Sequence, residues 1–261
     1  MSLSVTLPAV LGLEFPPVSH LIEWPDIFLK DSTFAINKIV LLMWASVAMV
    51  FIFFWSASRR SALVPTGVQN VAESVVEFVR EGIILQTMGR EGLAFLPFMT
   101  MLFSFVFALN IFSIVPGIQM PVNARMAMPA FMAILVWFIF NAVGIAKQGL
   151  FGYFKGIMFP PGVPKALYIL VTPIELVSTI LVRPLSLAVR LFANMLAGHL
   201  LLASFAVLSA ALFESTIVGA AAPFALMVAL TGFEVLVAVL QAFIFTILAA
   251  VYIGGALHPE H

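Results

Sequence analysis

The 261-residue chain is 63% hydrophobic and 9% charged, with twelve basic residues balanced by twelve acidic ones. Soluble domains carry about 25% charged residues, so this composition, with a mean hydropathy of +1.16, points to a polytopic membrane protein. Zero net charge gives no general attraction to nucleic acid, and the absence of Cys excludes disulfides, thiolate metal sites and thiol catalysis.

In chain order, residues 1–35 carry Pro16-Pro17 and Glu23-Trp24-Pro25-Asp26 but no basic n-region or clean cleavage site. They read as an external, interfacial arm rather than a signal peptide. A spanning helix needs about 20 mostly apolar residues, and Ile39–Ser58 supplies one, closed by Arg59-Arg60. Val64–Arg90 mixes Val71, Val75, Phe78, Val79 and Ile83 with Glu73, Glu77, Arg80 and Glu81. That mixture predicts an amphipathic surface helix near 66–90 on the cytoplasmic side. Gly92–Val115 is a second span, broken at Pro116-Gly117, and Met128–Ala146 a third, ending at Lys147. Gly149–Pro164, rich in Gly and Pro, reads as a loop.

From Ala166 to Leu257 the chain is hydrophobic again and too long for two upright spans. Glu214-Ser215-Thr216, Gly219 and Pro223 predict a turn, leaving two long helices over roughly 166–213 and 223–256. The expected fold is an all-α membrane protein of about five membrane helices. The last two form a long, strongly tilted antiparallel hairpin. The whole is one integral membrane domain: the arm at 1–35, three spans and the surface helix over 36–165, the hairpin over 166–257. Arg59, Arg60, Arg80, Arg90, Lys147, Lys155 and Lys165 fall on one side of this arrangement, against Lys30, Lys38 and Arg125 on the other. The basic excess places the first group in the cytoplasm, the N-terminal arm outside and the C-terminal tail inside.

Within the last two helices the main polar interruptions are Glu175, Arg183, Ser186, Arg190, Asn194, His199, Glu234 and Gln241. Arg190 dominates. Its guanidinium stays charged at any physiological pH, and a cation at the bilayer centre costs about 2.5–3.5 kcal/mol on insertion scales. Ser186, Arg190 and Asn194 are spaced by four and share a helix face. In an antiparallel hairpin, residues at equal depth have a constant index sum, which sets Arg190 opposite Gln241 and His199 opposite Glu234. Arg190 lies about 25 residues before the turn, or ~37 Å of helix at ~1.5 Å per residue. The hydrocarbon core is ~30 Å thick, so tilt is needed to hold Arg190 near the midplane. His199 comes nine residues after Arg190, about half a turn around the helix. The two therefore face different surroundings.

Each of these residues also has a plain structural reading. Arg183 can sit at the cytoplasmic end as a snorkelling cation. His199 and Glu234 can be a helix–helix hydrogen-bonded pair, and Asn194, Gln241, Asn110 and Asn141 amide contacts between helices. Ser186 can bond back to its own helix. Glu175 can be a vestibule acid or an interfacial charge.

The run Arg183-Pro-Leu-Ser-Leu-Ala-Val-Arg190-Leu-Phe-Ala-Asn194-Met-Leu-Ala-Gly-His199 resembles the signature of subunit a of F-type ATP synthases. Leu240-Gln241-Ala242-Phe243-Ile244-Phe245 is similar to that family's final-helix motif, and Asn110-Ile-Phe-Ser-Ile-Val-Pro116 to a stretch of an earlier span. The resemblance runs from about Pro65 to the C-terminus. It implies a stator subunit that is not an enzyme on its own, with no catalytic residue, cofactor or metal. It would carry protons to a rotating c-subunit ring, alongside b-type peripheral stalk subunits, in a bacterial plasma membrane. Arg190 would face the ring's carboxylate with Gln241 beside it. His199 and Glu234 would be the imidazole–acid pair of the outer half-channel, in the arrangement that resembles mitochondrial subunits. Asn110, Asn194, Ser186 and Glu175 would add polar lining. Ser113 stands where some relatives carry an acid and takes no relay role. A secondary transporter binding an anion at Arg190 would be expected to show internal repeats, and none is visible. A membrane scaffold would not need Arg190, His199 and Glu234 in one hairpin.

Overall fold

Asn37 opens the first helix: its Oδ1 accepts from the Val40 N–H at 3.1 Å, as a capping side chain does for a free first-turn donor. Helix α1 then runs Lys38–Ser58 in a computed structural model that describes residues 27, 36–59, 62–115, 122–159, 164, 167–215 and 217–257. Of residues 214, 215, 217 and 218 it describes the backbone alone. The expected arm at 1–35, apart from Ile27, therefore lies outside the described residues, as do Arg60, Pro116-Gly117 and Lys165.

One stripe of α1 is buried, through Ile39, Leu42, Ser46 and Val50, while Trp44, Phe51 and Ile52 project outward. Helix α2, Val68–Val79, continues through a π turn at Arg80–Ile84 and a last helical stretch at Leu85–Thr87. Ala72, Val79, Ile83 and Ile84 are buried, and Glu73, Glu77 and Glu81 exposed. The amphipathic reading of this segment therefore has its structural counterpart.

A 3₁₀ turn, Gly89–Phe95, leads into α3, Leu96–Ile111, with Pro97 in the first turn where its missing N–H matters least. Helix α4 spans Ala127–Met158. This corrects the loop expected from Gly149. Gly149 breaks the helix at φ 73°, a conformation that suits glycine, and residues after it are helical again to Met158. The chain folds back there. The Tyr153 ring packs on Gly144, and its hydroxyl donates to Asn141 Oδ1 at 2.9 Å. The Gly-rich composition hid a helix restarted by the apolar residues 150, 151, 153 and 154.

Helix α5, Tyr168–Val177, passes through a π turn at Ser178–Val182 into α6, Arg183–Ser215. The π turn lies just before Pro184, which cannot donate to the helix ladder. Helix α7 is Ile217–Leu257. The break between Ser215 and Ile217 falls inside the turn expected over 214–222, and what is corrected is its extent: Gly219 and Pro223 lie inside α7. The carbonyl that Pro223 leaves unpaired and crowds is that of residue i−4. That residue is Gly219, the one best able to adjust, so two turn signals offset each other within one helical turn.

Among the described residues, five segments are long and apolar enough to cross a membrane: Lys38–Ser58, Gly89–Ile111, Ala127–Met158, Tyr168–Phe213 and Gly219–Leu257. The chain is an all-α membrane protein. Its buried core joins Ile83 and Ile84 below α2, Met99, Val106 and Leu109 of α3, Phe140 of α4, Leu187 and Leu191 of α6, and Ala242, Phe245, Ala249 and Ile253 of α7. Small residues let α7 approach its neighbours closely. A Cβ at Gly254 would stand 2.9 Å from the Thr87 carbonyl oxygen.

Candidate functional site

Among the described residues, helices α6 and α7 meet at four polar points. The Arg183 guanidinium lies over the Tyr252 ring, 5.4 Å from its centroid. Asn194 Nδ2 donates to Gln241 Oε1 at 2.8 Å. Gly198 lies against the Glu234 carboxylate. Ser209 Oγ donates to the Ala220 carbonyl at 3.4 Å. As the position rises along α6, its partner falls along α7.

The pairing differs from the spacing rule by up to one helical turn. Gln241 bonds Asn194 rather than Arg190, and Glu234 touches Gly198 rather than its neighbour His199. Among the described residues no hydrogen bond or ion pair joins His199 to Glu234. The equal-rise rule takes both helices as straight and equally pitched.

Between α3, α6 and α7 lies a cavity of about 490 Å³, lined by Asn110, Ser113, Asn194, Glu234 and Gln241 among apolar neighbours such as Leu191, Leu201 and Phe233. Buried atoms Asn110 Nδ2, Glu234 Oε2 and Gln241 Nε2 have no protein hydrogen-bond partner. Buried amides and carboxyls are almost always satisfied, by protein or by water. A space this size holds several waters, at ~30 Å³ each in the liquid. Glycine at 198 and alanines at 197 and 238 keep the walls close without filling the space.

Asn123 was not legible as a site residue. It sits in a short 3₁₀ turn, Val122–Ala124, fully buried, and its Nδ2 donates to Asn110 Oδ1 at 2.7 Å. Its only sequence signal is an amide shortly after the Asn110 motif.

The remaining predicted residues lie elsewhere. Arg190 is half-buried on α6, outside the cavity lining. His199 is half-buried on α6 and also outside the lining. Ser186 Oγ bonds back to the Arg183 carbonyl at 3.2 Å, the plain structural arrangement. Glu175 sits on α5, away from the cavity. Asn141 is held by Tyr153 and donates to the Trp137 carbonyl, a packing role. The site therefore divides into a polar cavity holding Glu234, Gln241, Asn194 and Asn110, and a permanent cation, Arg190, set outside it.

Residues 40–254 match the family described as ATP synthase A chain. The chain is 39% identical over 242 residues to ATP synthase subunit a of Frankia alni, covering 92% of this chain and 84% of the relative. It is 40% identical over 265 residues to ATP synthase subunit a of Rhodococcus erythropolis, covering 99% and 96%. The protein of the same description from Xanthobacter autotrophicus is 38% identical over 231 residues, covering 87% and 90%.

Proposed function

The chain belongs to the ATP synthase A chain family, and on that premise we propose that it conducts protons between the membrane surfaces and a ring of c subunits through two half-channels separated by Arg190. It is an integral membrane, non-catalytic subunit of the F-type ATP synthase. The observation that carries the finer reading is the cavity between α3, α6 and α7. It brings Glu234, Gln241, Asn194 and Asn110 to one space, large enough for several waters, inside an otherwise apolar bundle. Arg190 stands outside it, on the same helix.

A proton enters from the side of the N-terminal arm, passes Asn110 and Glu234 with His199 close by, and neutralises a carboxylate of the ring. The neutral site then enters lipid without the penalty of a charge. After nearly a full turn it meets the second half-channel and releases its proton to the cytoplasm, with Glu175 near that exit. Arg190 favours the ionised carboxylate and electrostatically bars a proton from crossing directly. Gln241, fixed by Asn194, holds the wall of the cavity beside it. One charge crossing 100 mV is worth ~2.3 kcal/mol, so several protons are needed per ATP, and a ring delivers them one site at a time. The ~37 Å of helix from Arg190 to the junction, set against a ~30 Å core, supports a tilted α6–α7 pair lying along the ring. The b-type stalk subunits hold this stator still.

The test is Arg190→Ala in the whole complex, reconstituted in vesicles. ATP-driven proton pumping is lost, and Arg190→Lys fails to restore it fully, because Lys can lose its proton and lacks the planar fork. Full pumping by Arg190→Ala overturns the reading.

A further inference from the structure

A second hollow, sharing no lining residue with the first cavity, lies between α1 and α3. It measures about 520 Å³ and is lined by Val47, Val50, Phe51, Phe54, Trp55, Ser58, Met101 and Phe105. Apart from Ser58 its walls are apolar. From Val47 to Ser58 is eleven residues of helix, or ~16 Å at ~1.5 Å per residue. Half of a ~30 Å hydrocarbon core is ~15 Å. The groove is therefore as long as one leaflet, and it runs from mid-bilayer to the end of α1.

At that end stands Arg59. Its guanidinium carbon lies 3.6 Å from the centroid of the Trp55 ring, the ring that also walls the groove. Stacking uses the face of the guanidinium and leaves its edge, with five N–H donors, directed outward. Arg59 is exposed and forms no ion pair among the described residues. Arg60 follows it in sequence. A planar cation with free donors matches a phosphate diester, which it can grip with two parallel hydrogen bonds. Trp is the residue that settles at the boundary between tail and headgroup.

We propose that this groove is a binding site for one anionic phospholipid of the leaflet at the Arg59 end, with an acyl chain between α1 and α3 and the headgroup on Arg59. The apolar walls would accept any acyl chain. Arg59 confers the preference for negative charge. The site depends neither on the proton pathway nor on which face of the membrane is cytoplasmic.

The experiment uses the intact complex in liposomes doped with photoreactive acyl-chain analogues of phosphatidylglycerol or phosphatidylcholine, with labelled residues mapped by mass spectrometry. Labelling of Val47, Val50, Met101 or Phe105 is expected to favour phosphatidylglycerol by roughly fivefold, the scale set by one basic residue near an anionic headgroup. Arg59→Gln abolishes that preference while labelling persists, and Met101→Trp, which fills the groove, lowers labelling by both lipids. Equal labelling by the two lipids in the unmodified complex overturns the proposal. So does an unlabelled groove beside labelled neighbouring surfaces, since a partner's helix then occupies it.

Discussion

Replacing Gly198 with Ala moves the Glu234 carboxylate without removing it. A Cβ at Gly198 lands against Glu234 Oε1 and stands 3.3 Å from Cδ and 3.7 Å from Cγ. The obstacle is the end of a flexible side chain, and the adjoining cavity of about 490 Å³ gives it room to swing aside. Leaving a preferred rotamer costs about 0.5–1.5 kcal/mol, while Gly to Ala inside a helix returns about 0.5–1 kcal/mol. The two nearly cancel, so the melting temperature of the complex is expected to change by no more than about 2 °C. Proton transfer has no such compensation. A carboxylate held ~1 kcal/mol away from its working position slows a step that passes through it by about fivefold. The assay is ATP-driven acidification of vesicles, read beside thermal unfolding of the same preparation. Unchanged pumping with unchanged melting would show that the position of Glu234 is immaterial to transport. Failure to assemble would show a rigidly packed contact rather than a yielding one, and would refute the reasoning from the cavity.

Asn194→Ala and Gln241→Ala, alone and together, measure the bond between them. The coupling in a double-mutant cycle of thermal stability is expected at ~0.6–1.7 kcal/mol, the range for such bonds between membrane helices, and a value near zero removes Gln241's anchor. The adjacent pair Gly254 and Gly255 separates close approach from helix propensity. Gly254→Ala sets a Cβ against the backbone oxygen of Thr87, which cannot swing away, whereas Gly255→Ala meets nothing within 4 Å. The first is expected to destabilise by about 1–3 kcal/mol and the second to be neutral or slightly stabilising; equal melting temperatures contradict the close packing of α7 on the end of the surface helix.

The hydrophobic runs named all five membrane-capable helices and set their limits to within a few residues at most ends. Length and apolarity are local quantities, and the bilayer demands both. The alternation of Glu73 and Glu77 with Val75 and Val79 made α2 legible for the same reason. The failures came where one residue's backbone decided the outcome. Gly149 reads as the start of a loop but hinges two helical segments, and Pro223 reads as a turn but sits above Gly219 inside α7. Neither outcome follows from composition, because each depends on whether neighbouring chain packs over the break, as Tyr153 does on Gly144.

At the site, the residue types and their order along α6 and α7 were set by the sequence: Arg183 and Arg190, the imidazole of His199, the carboxyl of Glu234 and the amides of Asn194 and Gln241 in otherwise apolar helices. Register was not. Spacing alone set Arg190 level with Gln241, and the structure sets Asn194 there, because the equal-rise rule takes two straight, equally pitched helices, and α7 carries Pro223 between its start and Gln241. Only the tertiary structure could bring Asn123 onto Asn110, which lines the cavity, since the two come from a span and a short 3₁₀ turn that no periodicity connects. The sequence by itself determined that a fixed charge would be held within the membrane helices. Packing decided which polar groups gather in a space large enough for water, and that Arg190 stands outside it.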